Sequence, residues 1–216
     1  MMPLSAPSIE MLRQRLTALA TNPDLLAHTR AHGRARAVPA DAVPRRSAVL
    51  LALYQANGQI WLPLIVRPQY EGVHSGQVAF PGGKYEDGDG TLEYTALRET
   101  REEVGIEVQS ADLLGKLTEI YIPPSNSLVT PVVAWLPFVP SFTPDQHEVA
   151  SMLLVPLAHL RNPAYWGQKH IQLINGNLAP FHAYLFEGQE IWGATAYMIG
   201  ELLELIEGII GLDGNT

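Results

Sequence analysis

The chain has 216 residues, of which 47% are hydrophobic and 17% charged, enough apolar material for one sizeable core and too little charge for global disorder. Its formal net charge of -8 argues against nucleic-acid binding, which needs clustered basic residues, but admits a small phosphorylated substrate wherever a divalent cation reverses the local charge. The lack of cysteine excludes disulfides, Cys-ligated zinc and Cys nucleophiles. With no apolar leader and no run of transmembrane length, the expectation is a soluble, cytoplasmic protein with no membrane partner.

Along the chain, Ile9, Leu12, Leu16 and Leu19 recur at helical spacing and predict an amphipathic helix over residues 8–28. The proline-punctuated "RARAVPADAVPRR" follows as a connection, so residues 1–45 are read as an N-terminal helix and linker, and 46–216 as the main domain. "AVLLALYQ" and "IWLPLIV" flank "ANGQ", and Asn57-Gly58 predicts a hairpin there. A long loop, "RPQYEGVHS", leads to a short strand in "GQVAF" with Val78 and Phe80 on one face; "PGGKYEDGDG" is then expected to be loop. A helix from about Leu92 to Val104 should end at Gly105. "LTEIYI", "LVTPVVAWLP" and "HIQLI" read as strands, "AYLFEGQEIWG" as a hairpin and "ATAYMIGELLELIEGII" as a helix. In "EVASMLLVPLAHL" a strand or turn precedes a helix start. This order predicts an α/β fold with a mixed sheet covered by helices.

The helix near residue 100 is electrostatically costly. Its last turns hold Glu99, Glu102 and Glu103, with Arg98 beside them. Like charges one turn apart repel by roughly 0.2–0.5 kcal/mol per pair, and the helix dipole disfavours anions at this end. Ion pairing of Arg98 with Glu102 at i+4 would make the face an ordinary solvated one. A hard divalent cation, Mg²⁺ or Mn²⁺, would resolve the conflict by taking carboxylate oxygens together with waters and substrate phosphates. Upstream, Gly82 and Gly83 offer backbone that a ligand can approach closely. Two other readings of this region fail: Lys84 is followed by Tyr85, so no P-loop is formed, and "DGDG" lacks the ligand spacing of an EF-hand. His74, His147, His170 and His182 form no metal-ligand pair, and Trp135, Trp166 and Trp192 read as core or sheet-face residues.

"GGKYEDGDGTLEYTALRETREEVGI" resembles the Nudix box, G-x5-E-x7-R-E-U-x-E-E-x-G-U. Gly83 matches its first glycine, and Arg98, Glu99, Glu102, Glu103, Gly105 and Ile106 match its second half. Asp89 replaces the box glutamate, eight residues rather than seven separate it from Arg98, and Thr100 fills an aliphatic slot. The preceding "HSGQVAFPGG" resembles the signature of coenzyme A diphosphatases, which also carry a longer loop with Asp; here Pro68 and Gly72 depart from that signature.

The resemblance implies a Nudix-type α/β/α sandwich with an extra N-terminal helix, requiring Mg²⁺ or Mn²⁺. It implies Glu99, Glu102 and Glu103 as metal ligands with the Gly83 carbonyl beside them, and Arg98 as the group that orients a carboxylate. Glu99 and Glu148 compete as general base. Arg67, His74, Gln77 and Gly82 fall at substrate-binding positions. The implied partner is a small nucleoside diphosphate derivative, first coenzyme A or acyl-coenzyme A. ADP-ribose or a dinucleoside polyphosphate would use the same chemistry, and a nucleotide sensor would lack hydrolysis. A homodimer is compatible with the resemblance, though no sequence feature demands one.

Overall fold

The computed structural model describes residues 5–22, 37–72, 74–172, 178–207 and 209. The first helix, α1 (Ala6–Thr21), begins at Ser5, whose hydroxyl accepts from the Ser8 amide, and buries Leu12, Leu16 and Leu19. Its expected continuation to residue 28 lies outside the described residues, as do parts of the connection that follows, of "HIQLI" and of the last helix.

Strands β1 (Arg45–Ala56) and β2 (Gln59–Val66) form the expected antiparallel hairpin. Asn57 and Gly58 both take positive φ, 51° and 73°, as a two-residue turn matched to the strand twist requires. Then come β3 (Val78–Ala79), β4 (Gly82–Lys84), α2 (Leu92–Val104), β5 (Leu113–Lys116), β6 (Ile120–Ile122) and β7 (Ser127–Leu136). The chain continues as β8 (Ser151–Pro156), α3 (Leu157–Arg161), β9 (Trp166–Gln172), β10 (Leu178–Phe186), β11 (Gln189–Trp192) and α4 (Gly193–Ile206).

Two of these strands differ from the sequence expectation. Gly82–Lys84, expected within a loop, pairs antiparallel with β1, and Leu113–Lys116 adds an unforeseen strand against β7. The glycines that suggested a loop permit the first pairing. A Cβ on Gly82, at φ 151°, would run into the Ala48 carbonyl of β1.

The main sheet has eight strands in the order β3-β2-β1-β7-β5, with β4 on β1, β6 on β7 and β8 on β2. β1 and β7 run parallel through ten paired positions while the other pairs are antiparallel, so the sheet is mixed. A second sheet, β11-β10-β9, has three strands.

Alternation along β1 sets the layers. Leu51 and Leu53 join α1 and α4 in one core, where Leu12, Leu16, Ile199 and Leu202 are buried. Ala48, Leu50, Ala52 and Tyr54 point the other way, into a second core with Leu92, Ala96 and Val104 of α2. Helices therefore cover both faces, giving an α/β/α sandwich in which α1 is an integral layer. Arg15 fastens α1 to the far end of the chain by donating to the carbonyls of Leu205 (2.7 Å) and Glu207 (2.8 Å). Among the described residues no helix is long and apolar enough to cross a membrane.

Candidate active site

The site is built where α2 lies over β4. Thr91 caps the helix, its hydroxyl accepting from the Tyr94 amide, and Gly105 closes it at φ 72°. Pairing of Ala48 with Gly83 and Val49 with Gly82 sets the two glycines against β1. The Glu99 carboxylate occupies the space that a Cβ on Gly83 would need. The glycine thus lets a carboxylate lie directly on backbone.

Arg98 organises the helix face. Its Nε and Nη2 donate to the two oxygens of Asp89 at 2.8 and 3.0 Å, Nη2 also donates to the Lys84 carbonyl at 3.0 Å, and Nη1 reaches Glu99 at 3.1 Å and Glu102 at 3.0 Å. This is the fork geometry that guanidinium supplies and ammonium does not. Asp89, shorter than the box glutamate and one residue further from the arginine, still makes the bidentate contact. Its carboxyl is held well below the usual range by Arg98, with the Glu86 amide and Thr95 hydroxyl assisting.

Glu103 lies deeper, 4% exposed, with one oxygen accepting from the Gly82 amide at 2.8 Å. Burial pushes its carboxyl up to about 7, the charges of Glu99 and Glu148 add to the rise, and the Gly82 amide and Arg67 oppose it. Glu99 is likewise raised, first by burial; Arg98 opposes, while Glu102 and Glu148 reinforce. Glu148 is exposed, on the segment after Phe142, yet its charge bears on both box carboxylates.

Arg67 follows the last residue of β2, and its amide donates to the Gln77 carbonyl at 3.0 Å, closing the loop between them. Within that loop His74, at φ 71°, places Nδ1 2.9 Å from Oε1 of Gln77. Gly76 donates to the Pro68 carbonyl, and the space beside its α-carbon is filled by the Gln69 amide. The segment bearing Arg67, His74 and Gln77 is therefore folded back on itself and leads through β3 to Gly82, the first residue of β4.

Glu102 is half-exposed and turned to Arg98. Among the described residues no three His, Asp or Glu side chains are gathered closely enough to hold a metal by themselves. The donors present suit a different mode of binding. Mg²⁺ keeps several waters and is held by one or two carboxylates together with substrate phosphates. Glu99 and Glu103, desolvated and within the field of the Glu148 charge, could supply such oxygens, and a bound cation would offset the cost of burying their charge as well as their mutual repulsion.

Asp89, a departure from the box in sequence, is the main partner of Arg98, and Thr95 and the Lys84 carbonyl complete the cluster without any spacing that marks them. A carboxylate at 89, nine residues before Arg98, was the available signal. Thr143 and Asp145, whose amides donate to the carbonyls of Val104 and Glu103, had none.

A helix presenting Arg98, Glu99, Glu102 and Glu103 over a glycine strand, on an α/β/α sandwich, defines a Nudix enzyme. The NUDIX domain family matches residues 44–175, and the chain belongs to it as a Nudix pyrophosphohydrolase. Nudix hydrolases act on small nucleotide-derived substrates and generally use divalent metals.

The chain is 35% identical over 179 residues to the mitochondrial coenzyme A diphosphatase NUDT8 of Homo sapiens, covering 82% of this chain and 73% of that protein. It is 33% identical over 162 residues to the uncharacterized Nudix hydrolase NudL of Yersinia enterocolitica, covering 69% of this chain and 81% of that one. In fold it is similar to a MutT/nudix family protein from Enterococcus faecalis (TM-score 0.55, 14% identity, 95% of this chain and 76% of that one). A MutT protein from Methanosarcina mazei is also similar (TM-score 0.51, 17% identity, 79% and 99%).

Proposed function

We propose that this Nudix hydrolase cleaves the diphosphate of coenzyme A or an acyl-coenzyme A. Water adds to one phosphorus, the bridging P–O bond breaks, and the products are 3′,5′-ADP and (acyl-)4′-phosphopantetheine. The observation that carries the reading is the closed loop from Arg67 to Gln77, bearing the coenzyme A diphosphatase signature. It leads through β3 into Gly82 and Gly83, beside Glu103, on whose carboxylate the Arg67 charge acts. Similarity to a coenzyme A diphosphatase over most of both chains supports the same substrate class.

Glu99 and Glu103 are the residues that would hold Mg²⁺ or Mn²⁺, with Glu102 and the Gly83 carbonyl as further donors. The ion, when bound, neutralises charge on the diphosphate and lowers the pKa of its water. Arg98, anchored on Asp89, fixes the carboxylate directions, so that less reorganisation accompanies the reaction. Glu148, exposed and free of the Arg98 clamp, takes the proton from the attacking water. Arg67, His74, Gln77 and the Gly82 backbone orient the diphosphate for in-line attack.

The test is product analysis of coenzyme A incubated with the protein and either metal, with Glu103→Gln as control. Release of 3′,5′-ADP by wild type and not by the variant supports both substrate and site. If coenzyme A stays intact while ADP-ribose or a dinucleoside polyphosphate is cleaved, the substrate assignment is wrong.

A further inference from the structure

The segment from Thr143 to Ala150 is tied to the site at both of its ends. Thr143 and Asp145 donate their amides to the carbonyls of Val104 and Glu103, both at 2.9 Å. These are carbonyls of the last turn of α2, which has no intrahelical donors for them. Gly105 makes the approach possible, since a Cβ there would stand 2.9 Å from the Thr143 Cβ and 3.0 Å from its carbonyl oxygen. At the other end the Ala150 amide donates to Val66, the residue before Arg67, at 2.9 Å. Val149, 3% exposed, anchors the segment in the α2-side core.

Asp145 is the hub between these ties. Its amide bonds Glu103, and its carbonyl accepts from Glu148 (3.2 Å) and Val149 (2.8 Å). Its side-chain Oδ1 accepts from the His147 amide at 2.7 Å, an Asx turn that sets the direction of the chain into Glu148. The backbone of the metal-facing Glu103 and that of Glu148 are thereby joined through one residue.

We infer that Asp145 is a positioning residue, whose Asx turn and backbone bonds hold Glu148 in register with the carboxylates of α2. The inference rests on the proposed role of Glu148 as proton acceptor, and not on which diphosphate is cleaved. Asp145 itself touches no reacting atom. Its loss should leave substrate binding intact and slow only the step that needs Glu148 in place.

The experiment is a double-mutant cycle of steady-state kinetics on Asp145→Ala, Asp145→Asn, Glu148→Gln and Asp145→Ala/Glu148→Gln, with Mg²⁺ and a diphosphate that wild type cleaves. Glu148→Gln should lower kcat about 10²–10⁴-fold, the usual contribution of a general base. Asp145→Ala should lower it about 10–100-fold, the cost of roughly an ångström of misplacement, with KM moved less than about twofold. Asp145→Asn, which keeps an Oδ1 acceptor, should recover most of the loss. The double variant should fall within about twofold of Glu148→Gln, because the two changes remove one function. Multiplicative losses, an Asn variant as slow as the Ala variant, or near-normal kcat in Glu148→Gln would each overturn the inference. Should wild type leave coenzyme A intact, the substrate proposal fails alone, and the cycle is run on ADP-ribose.

Discussion

Replacing Glu103 with Gln should stabilise the protein while it destroys activity, and the gain should depend on pH. The fold lifts the Glu103 carboxyl from an ordinary 4.5 to about 7, chiefly by burial. A carboxyl with a raised folded value binds its proton more tightly in the folded than in the unfolded chain. Its contribution is therefore intact below about 4.5 and is lost as pH climbs through about 7. At about 1.4 kcal/mol per pH unit, the displacement corresponds to a penalty on the order of 3 kcal/mol at pH 8 without metal. Gln carries no charge, and its carbonyl can still accept from the Gly82 amide, so the variant escapes most of that penalty. The assay is guanidinium unfolding of both proteins in EDTA at pH 4.5 and pH 8. The variant should gain on the order of 3 kcal/mol at pH 8 and little at pH 4.5. Added Mn²⁺ should stabilise wild type selectively and narrow the gap. An equal gain at both pH values, or none at pH 8, would refute the assignment of Glu103 as a desolvated carboxylate awaiting a cation.

Three further outcomes follow from the same geometry. Gly83→Ala places a Cβ where the Glu99 carboxylate lies; Mn²⁺ affinity measured by electron paramagnetic resonance should fall roughly tenfold or more, with the unfolding midpoint little changed. Asp89→Ala removes a carboxylate whose side chain is 2% exposed from an arginine 12% exposed, and should cost about 3 kcal/mol of stability at neutral pH. Because the Asp89 carboxyl is depressed, that contribution is present above about pH 4 and disappears only in stronger acid, which acid titrations of wild type and variant will compare. Thr100→Val should stabilise by about 1 kcal/mol without altering kcat, since the Thr100 hydroxyl is buried and has no hydrogen-bond partner.

The hairpin at Asn57-Gly58 and the helix from Leu92 to Val104 were legible because turn chemistry and a helix-ending glycine act within a few residues. β4 was obscured for a physical reason: its glycines look like loop residues, but they are required by the closeness of β1 beneath and Glu99 above. The parallel pairing of β1 with β7 depends on partners distant in sequence, for which no local signal exists. The same holds within the site. The box carboxylates were readable from their spacing, and Arg98 indeed pairs with Glu102 at i+4. Its stronger engagement with Asp89 depends on how an enlarged loop folds. Glu148 had a place in the sequence reading, but its approach to α2 is made by backbone bonds from Thr143 and Asp145, which side-chain identity does not encode.

The clasp between α1 and α4 also bears on how the chain reaches its native state. Arg15 bonds a carbonyl 190 residues downstream, and Leu12 and Leu16 share their core with Ile199 and Leu202. On the ribosome, the first helix is therefore made long before the last one can cover it. Until α4 emerges, α1 presents an apolar stripe to whatever else is near, including chaperones and neighbouring nascent chains. Closure of that layer is a late event in folding, whereas the box helix and β4, separated by a short loop, can meet early.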